Sequence, residues 1–132
     1  MPSPVEVAAD TYIRAWGEPD PARRAALVES CFAADGRIVT RSRVIEGRAG
    51  LVAEMERVFA DPRVSRVRVN SAIDAAGSTF RFFGIVEFND GTSAEAFDAG
   101  QIDAAGQIAL ILTFAGRLGE PGAAPAQPLP GR

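Results

Sequence analysis

The chain has 132 residues, 47% of them apolar, which is enough for one domain with one core and too little for two. Its formal charge of −3 comes from 14 basic and 17 acidic residues, and the basic ones are all Arg, scattered from Arg14 to Arg132 without a cluster, which argues against a nucleic-acid surface. No run approaches the roughly 20 apolar residues of a membrane span, and Met1-Pro2-Ser3-Pro4 has neither the basic start nor the apolar stretch of a signal peptide, so a cytoplasmic protein is expected.

From Val5 the apolar residues Val5, Ala8, Ala9, Tyr12 and Trp16 recur at helical spacing and predict an amphipathic helix ending near Trp16-Gly17. Asp20 as N-cap and Pro21 at the first helical position announce a second helix, with a stripe through Leu27, Val28, Cys31 and Phe32 and a stop at Asp35-Gly36. A short strand over 37–40 follows, then a polar loop with Arg41 and Arg43. A third helix carries Leu51, Met55, Val58 and Phe59 and is closed by Asp61-Pro62.

After Pro62 the period changes from helical to alternating. Val67, Val69, Ser71 and Ile73 face one way, Arg66, Arg68 and Asn70 the other, and Ala75-Ala76-Gly77 turns the chain. The next strand sets Phe80, Phe82, Gly84, Val86 and Phe88 against Thr79, Arg81, Phe83, Ile85 and Glu87, and Asn89-Asp90-Gly91 turns again. That second face mixes apolar residues with charges, which suggests a partner surface. Two more strands run from Thr92 to Phe114 around Asp103-Ala104-Ala105-Gly106. The second of them, through Ile108, Leu110, Ile111, Leu112 and Phe114, is apolar on both faces, as expected for the middle of a sheet.

Helices first and antiparallel strands afterwards is the grammar of an α+β domain, here spanning residues 1–118. The stretch 119–132 holds four prolines and almost nothing to bury, so a disordered tail is expected.

The strand from Thr92 carries the residue that points to a site. Alternation puts Ala94, Ala96, Asp98, Gly100 and Ile102 on the face expected to be buried, so Asp98 turns inward among side chains too small to fill the space. An ionised carboxylate in dry surroundings is costly unless paired or protonated. Two readings stay open, a structural Asp bonded to backbone amides or a buried Arg, and a functional one. Among other chemistries, the absence of His removes the commonest acid, base and metal ligand near neutral pH. A single Cys allows neither an internal disulfide nor a cysteine-rich zinc site, and its place beside Phe32 suits a buried hydrophobe. No metal and no cofactor is implied.

The order of elements, with Thr-Tyr-Ile-Arg-Ala-Trp at 11–16, Cys-Phe-Ala-Ala-Asp-Gly at 31–36, Glu-Gly-Arg-Ala-Gly-Leu at 46–51 and Phe-Asp-Ala-Gly-Gln-Ile-Asp-Ala-Ala-Gly-Gln-Ile at 97–108, resembles the nuclear-transport-factor-two-like superfamily and, within it, the small SnoaL-like and ketosteroid-isomerase-like proteins. The resemblance implies a cone of three helices against a strongly curved, mostly antiparallel sheet, an apolar pocket at its wide end, and frequent dimerisation. In the isomerases a Tyr on the first helix and an Asp on the third long strand form an oxyanion hole, and a second Asp on the first strand moves the proton. Tyr12 and Asp98 match the first two positions, while the third falls on Thr40, which is no base of comparable strength. The Arg and the acid of the epoxide hydrolases fall on Ala96 and Thr113.

These matches lead to two expectations. One is an enzyme in which Asp98, kept protonated, and Tyr12 donate hydrogen bonds to an oxygen of a small apolar or carbonyl-containing molecule. Trp16, Thr40, Val67, Val69, Phe80 and Phe82 are then its substrate-binding walls. The pattern is that of ketosteroid isomerase, where a carboxylic acid held neutral by an apolar site acts as a donor. The other is a non-catalytic ligand-binding or dimerising module, because fold alone does not choose between them. A homodimer through the sheet is expected in either case, on the face of Arg81, Phe83, Ile85 and Glu87.

Overall fold

The computed structural model describes residues 1–116 and 118–124. Helix α1 (Pro4–Gly17) is capped by Ser3, whose Oγ accepts from the Glu6 N–H at 3.3 Å, and it buries Val5, Ala8, Tyr12 and Ala15. The predicted cap at Asp20 forms as well, accepting from the Arg23 N–H at 3.1 Å, and Pro21 opens α2 (Pro21–Cys31).

The end of α2 differs from the expectation. The helix stops at Cys31, and Phe32 already begins strand β1 (Phe32–Val39). A long-range pairing overrides the local period here, since Phe32 pairs with Ile108 far along the chain. Gly36 permits the fit, because a Cβ there would stand 2.6 Å from the Phe32 ring and 2.9 Å from the Ile108 carbonyl oxygen. The expected polar loop contains a short strand, β2 (Val44–Glu46), which pairs antiparallel with β1. Helix α3 (Gly47–Ala60) buries Leu51, Met55 and Val58 as its stripe predicts, together with Glu54. Phe59 stays 41% exposed, with the Arg24 guanidinium 4.0 Å above its ring.

The alternating half forms β3 (Val64–Val69), β4 (Asp74–Ala76), β5 (Thr79–Phe88), β6 (Ser93–Ile102) and β7 (Ile108–Ala115). The alternation read through to Ile73 is interrupted after Val69. The Asn70 N–H donates to the Phe83 carbonyl at 2.7 Å and Ser71 Oγ accepts from the Phe83 N–H at 2.8 Å, so the chain steps away from β5 before rejoining it as β4.

The sheet order is β2-β1-β7-β6-β5-β3, antiparallel except for the parallel β1–β7 pair, with β4 also on β5. Strand β7 therefore lies in the middle of the sheet, as its apolar sequence predicts. Register shifts in the β1–β7, β3–β5 and β6–β7 pairs bend the sheet around the helices. The result is the expected α+β arrangement of three helices on a curved, mostly antiparallel sheet.

Only one face of β7 is covered, however. Ile111, Thr113 and Ala115 are buried, while Leu112 is 37% and Phe114 53% exposed on the far side of the sheet. Residues 118–124 are exposed, Leu118 almost completely, and residues 125–132 of the expected disordered tail lie outside the described residues.

The main core joins α1, α2, α3 and the sheet through Tyr12, Val28, Phe32, Ile38, Met55 and Ile111. A second group, Val86, Ala96 and Ala115 with Val64 and Val67 packed on it, sits towards the other end of the strands. Two arginines tie the elements together. Arg24, 3% exposed, donates from Nε to the Glu18 carbonyl at 3.0 Å and from Nη2 to the Pro19 carbonyl at 3.1 Å. Arg48 donates to the Phe32 carbonyl at 2.7 Å and to Gln107 Oε1 at 3.2 Å, and Gln107 in turn donates to the Glu29 carbonyl at 3.2 Å.

Candidate functional site

Where the two core groups meet, the side chains leave a cavity of about 50 Å³. The sheet side of it is low because Gly84 and Ala96, Cα partners on β5 and β6, offer almost no side chain. Val67, Val69, Phe82 and Val86 form the walls, and Ile13, Trp16 and Val58 close it from the helices. Asp98 stands at this mainly apolar lining with 8% exposure, and Arg68 borders it as well.

The strand geometry explains how Asp98 gets there. Alternation on β6 points Ala96 and Asp98 to the helix side, and both are buried while Ser93 and Gln101 are exposed. Across the ladder Asp98 pairs with Phe82 on one side and Thr113 on the other. Thr113 Oγ1 donates to Asp98 Oδ1 at 2.5 Å, between two buried groups. Tyr12 is 1% exposed; its ring lies 6.4 Å from that of Phe82, tilted by 48°. The chain thus places Tyr12 against Phe82, and Phe82 directly opposite Asp98.

Five of the eight residues singled out from the sequence line the cavity: Asp98, Trp16, Val67, Val69 and Phe82. Tyr12 stands behind Phe82 rather than at the lining. Phe80 stacks on Phe82, with centroids 6.1 Å apart and planes within 7°, and is buried in the main core beside Gly100 rather than at the cavity. Thr40 lies in the β1–β2 turn, where its hydroxyl donates to the Arg43 carbonyl at 3.0 Å and accepts from the Arg43 N–H at 3.2 Å. A turn-closing role explains a Thr at that position without any reference to a ligand.

The sequence reading missed Ile13, Val58, Val86 and Ala96 as lining and Thr113 as a partner. Among the described residues no three Cys, Asp or Glu side chains converge as a metal site would require, and no helix is long and apolar enough to cross a membrane.

Solved structures resemble this arrangement. A candidate isomerase of the SnoaL-like family from Agrobacterium tumefaciens matches with a TM-score of 0.72 and 29% identity, over 83% of this chain and 94% of that one. The fold is that of the NTF2-like/SnoaL-like superfamily. A candidate SnoaL-like polyketide cyclase from Jannaschia gives a TM-score of 0.65 at 15% identity, covering 87% of this chain and 90% of that one. An NTF2-like protein of unknown function from Burkholderia pseudomallei gives 0.65 at 13%, covering 85% and 90%. No family model matches the chain, and no curated protein matches it.

Helix α1 sets Tyr12 against Phe82 and brings Trp16 to the cavity at which Asp98 stands. The surroundings of Asp98 are its own. Thr113 gives the carboxyl a hydroxyl partner, and Ala96 two residues earlier leaves room above it. Nearby cations are engaged elsewhere: Arg68, whose residue borders the cavity, donates to Glu87 Oε1 at 2.6 Å, and Arg66 to the same oxygen at 2.7 Å. These two hydrogen bonds hold the Glu87 carboxyl below its ordinary range.

Proposed function

We propose that this protein binds a small, mainly apolar molecule in the cavity between α1, α3 and the sheet, with one oxygen of the ligand directed at Asp98. The observation that carries the proposal is a single carboxyl side chain in a mainly apolar lining, whose one other charged residue, Arg68, is paired with Glu87. Apolar walls supply affinity, and one polar group supplies orientation. If Asp98 is protonated, it donates to a carbonyl, enol or epoxide oxygen, with Tyr12 as the second donor after a small shift of Phe82. That is isomerase- or cyclase-like acid chemistry of the electrostatic kind, in which fixed donors meet a developing negative oxygen.

Cyclohexanone is a suitable probe because it is compact, apolar and carries one carbonyl. Titrated into isotope-labelled protein, it is expected to shift the backbone amides of Gly84, Ala96 and Asp98 saturably, and its carbonyl stretch should move to lower frequency in the complex. Ala96→Leu, which fills the space, should abolish both effects. Absence of saturable shifts at those three residues overturns the proposal.

A second reading concerns the opposite face of the sheet. Phe83 and Phe114, 48% and 53% exposed, flank Phe97 across the strands, and Phe83 and Phe97 meet edge to face at 5.2 Å. Arg66, Arg68, Glu87, Arg81 and Asp74 form ion pairs around this apolar patch. We assign this face to a second copy of the chain, since a patch rimmed by both signs of charge is self-complementary about a two-fold axis.

A further inference from the structure

The cavity at Asp98 has a neighbour. A recess of about 130 Å³, opening between the end of α1, α3 and β3, is lined by Gly17, Phe59, Val64 and Ser65. Both spaces also share three lining residues, Trp16, Val58 and Val67. Trp16 is the largest of the three and stands in the last turn of α1, partly buried. Beside it Gly17 faces open space, with no atom within 4 Å of the point where a Cβ would stand. A cavity of about 50 Å³ holds a water or two, whereas a space of roughly 150 Å³ is what benzene occupies in an engineered apolar cavity. Neither space alone takes a six-membered ring.

We infer that Trp16 is the gate between these two spaces and sets the size of the ligand. Movement of the indole into the room beside Gly17 joins recess and cavity, and the joined space takes a single-ring, neutral molecule whose oxygen end reaches Asp98. Entry is from the α1–α3–β3 side, past Val58 and Val67. The displaced indole then lies beside the bound ring in the joined space, and a fused two-ring molecule is excluded. This inference rests on the cavity as the binding site, and it adds the route and the size limit.

The sequence holds one Trp, so its indole N–H gives a single resonance that reports the gate directly. Cyclohexanone is expected to shift that resonance together with the Ala96 and Asp98 amides, and 2-decalone to shift neither. In Trp16→Ala, 2-decalone should bind at least tenfold more tightly than in the parent protein, read from the Ala96 and Asp98 amides. Trp16→Leu, which retains more of the buried surface, should give the same change in direction and serves if the Ala variant does not fold. If cyclohexanone shifts the two amides but both Trp16 variants exclude 2-decalone as the parent does, the gate is wrong and the cavity stands. If cyclohexanone leaves the amides unmoved in the parent and in the variants, the binding site itself is refuted and the gate with it.

Discussion

Asp98 is costly to the fold unless its carboxyl is neutral or fully partnered, and Thr113 supplies one partner at 2.5 Å. Asp98→Asn preserves both the shape and an acceptor for that hydroxyl. We expect its melting temperature near neutral pH to lie within a few degrees of the parent's; a loss of 3 kcal/mol or more, the scale of breaking a buried ion pair at about 3–5 kcal/mol, would refute the neutral acid. Thr113→Val removes the donor and should cost about 1–3 kcal/mol in urea unfolding, with Thr113→Ser recovering most of it. The inward direction of Asp98 was legible from simple alternation, but its partner was not. Counting back from the turn, Ile102 pairs with Ile108, which would set Asp98 opposite Leu112; the bulge between Gln101 and Ile102 moves the partner to Thr113. Cys31 tests burial in another way. Burial pushes its thiol from 9.0 up to about 12, so above pH 9 the unfolded chain releases a proton that the folded one keeps. Its contribution is complete below pH 9 and is lost as the pH rises towards 12. Cys31→Ala should therefore show a shallower fall of melting temperature over that range, and an unchanged slope would show that the thiol is not the source.

At the scale of elements, helix starts were readable because capping is local chemistry, as at Asp20. The end of α2 was not, because Phe32 takes its conformation from a pairing with Ile108 that no local pattern contains. Arg24 was equally hidden among 14 scattered arginines, although it is almost fully buried. Its guanidinium satisfies the Glu18 and Pro19 carbonyls beyond the end of α1 and lies over Phe59 of α3, so one side chain of α2 fixes both neighbouring helices. Arg24→Met retains the apolar stem and loses the donors. We expect a destabilisation on the order of 1–3 kcal/mol by urea unfolding, since two partly buried carbonyls lose their donor. No measurable change would mean that water replaces the guanidinium there.

For the whole molecule, the apolar far face of β5, β6 and β7 is the feature to test. Sedimentation should find a dimer at micromolar concentration, and Phe114→Glu, placing a charge in the middle of the patch, should give a folded monomer. A monomeric parent protein refutes the assignment. Truncation after Leu118 should leave the melting temperature within about 2 °C, because residues 118–124 are exposed and add no apolar contact to the core. The apolar composition of β7 correctly placed the strand in the middle of the sheet. Composition does not distinguish burial in the core from burial against another subunit.

The position of β7 has a consequence for how the protein is made. It is the last strand among the described residues, yet it separates β1 from β6, with Ile38 beside Ile111 on one edge and Asp98 beside Thr113 on the other. Such long-range pairing slows folding, because distant parts of the chain must meet before either is stabilised. During synthesis α1, α2 and β1 emerge early and wait, their apolar undersides uncovered, until Ile108–Ala115 can slot between the two halves of the sheet. Nascent chains that lack this segment are the form most prone to aggregate, and a ribosome stalled shortly before Ile108 would leave them in it.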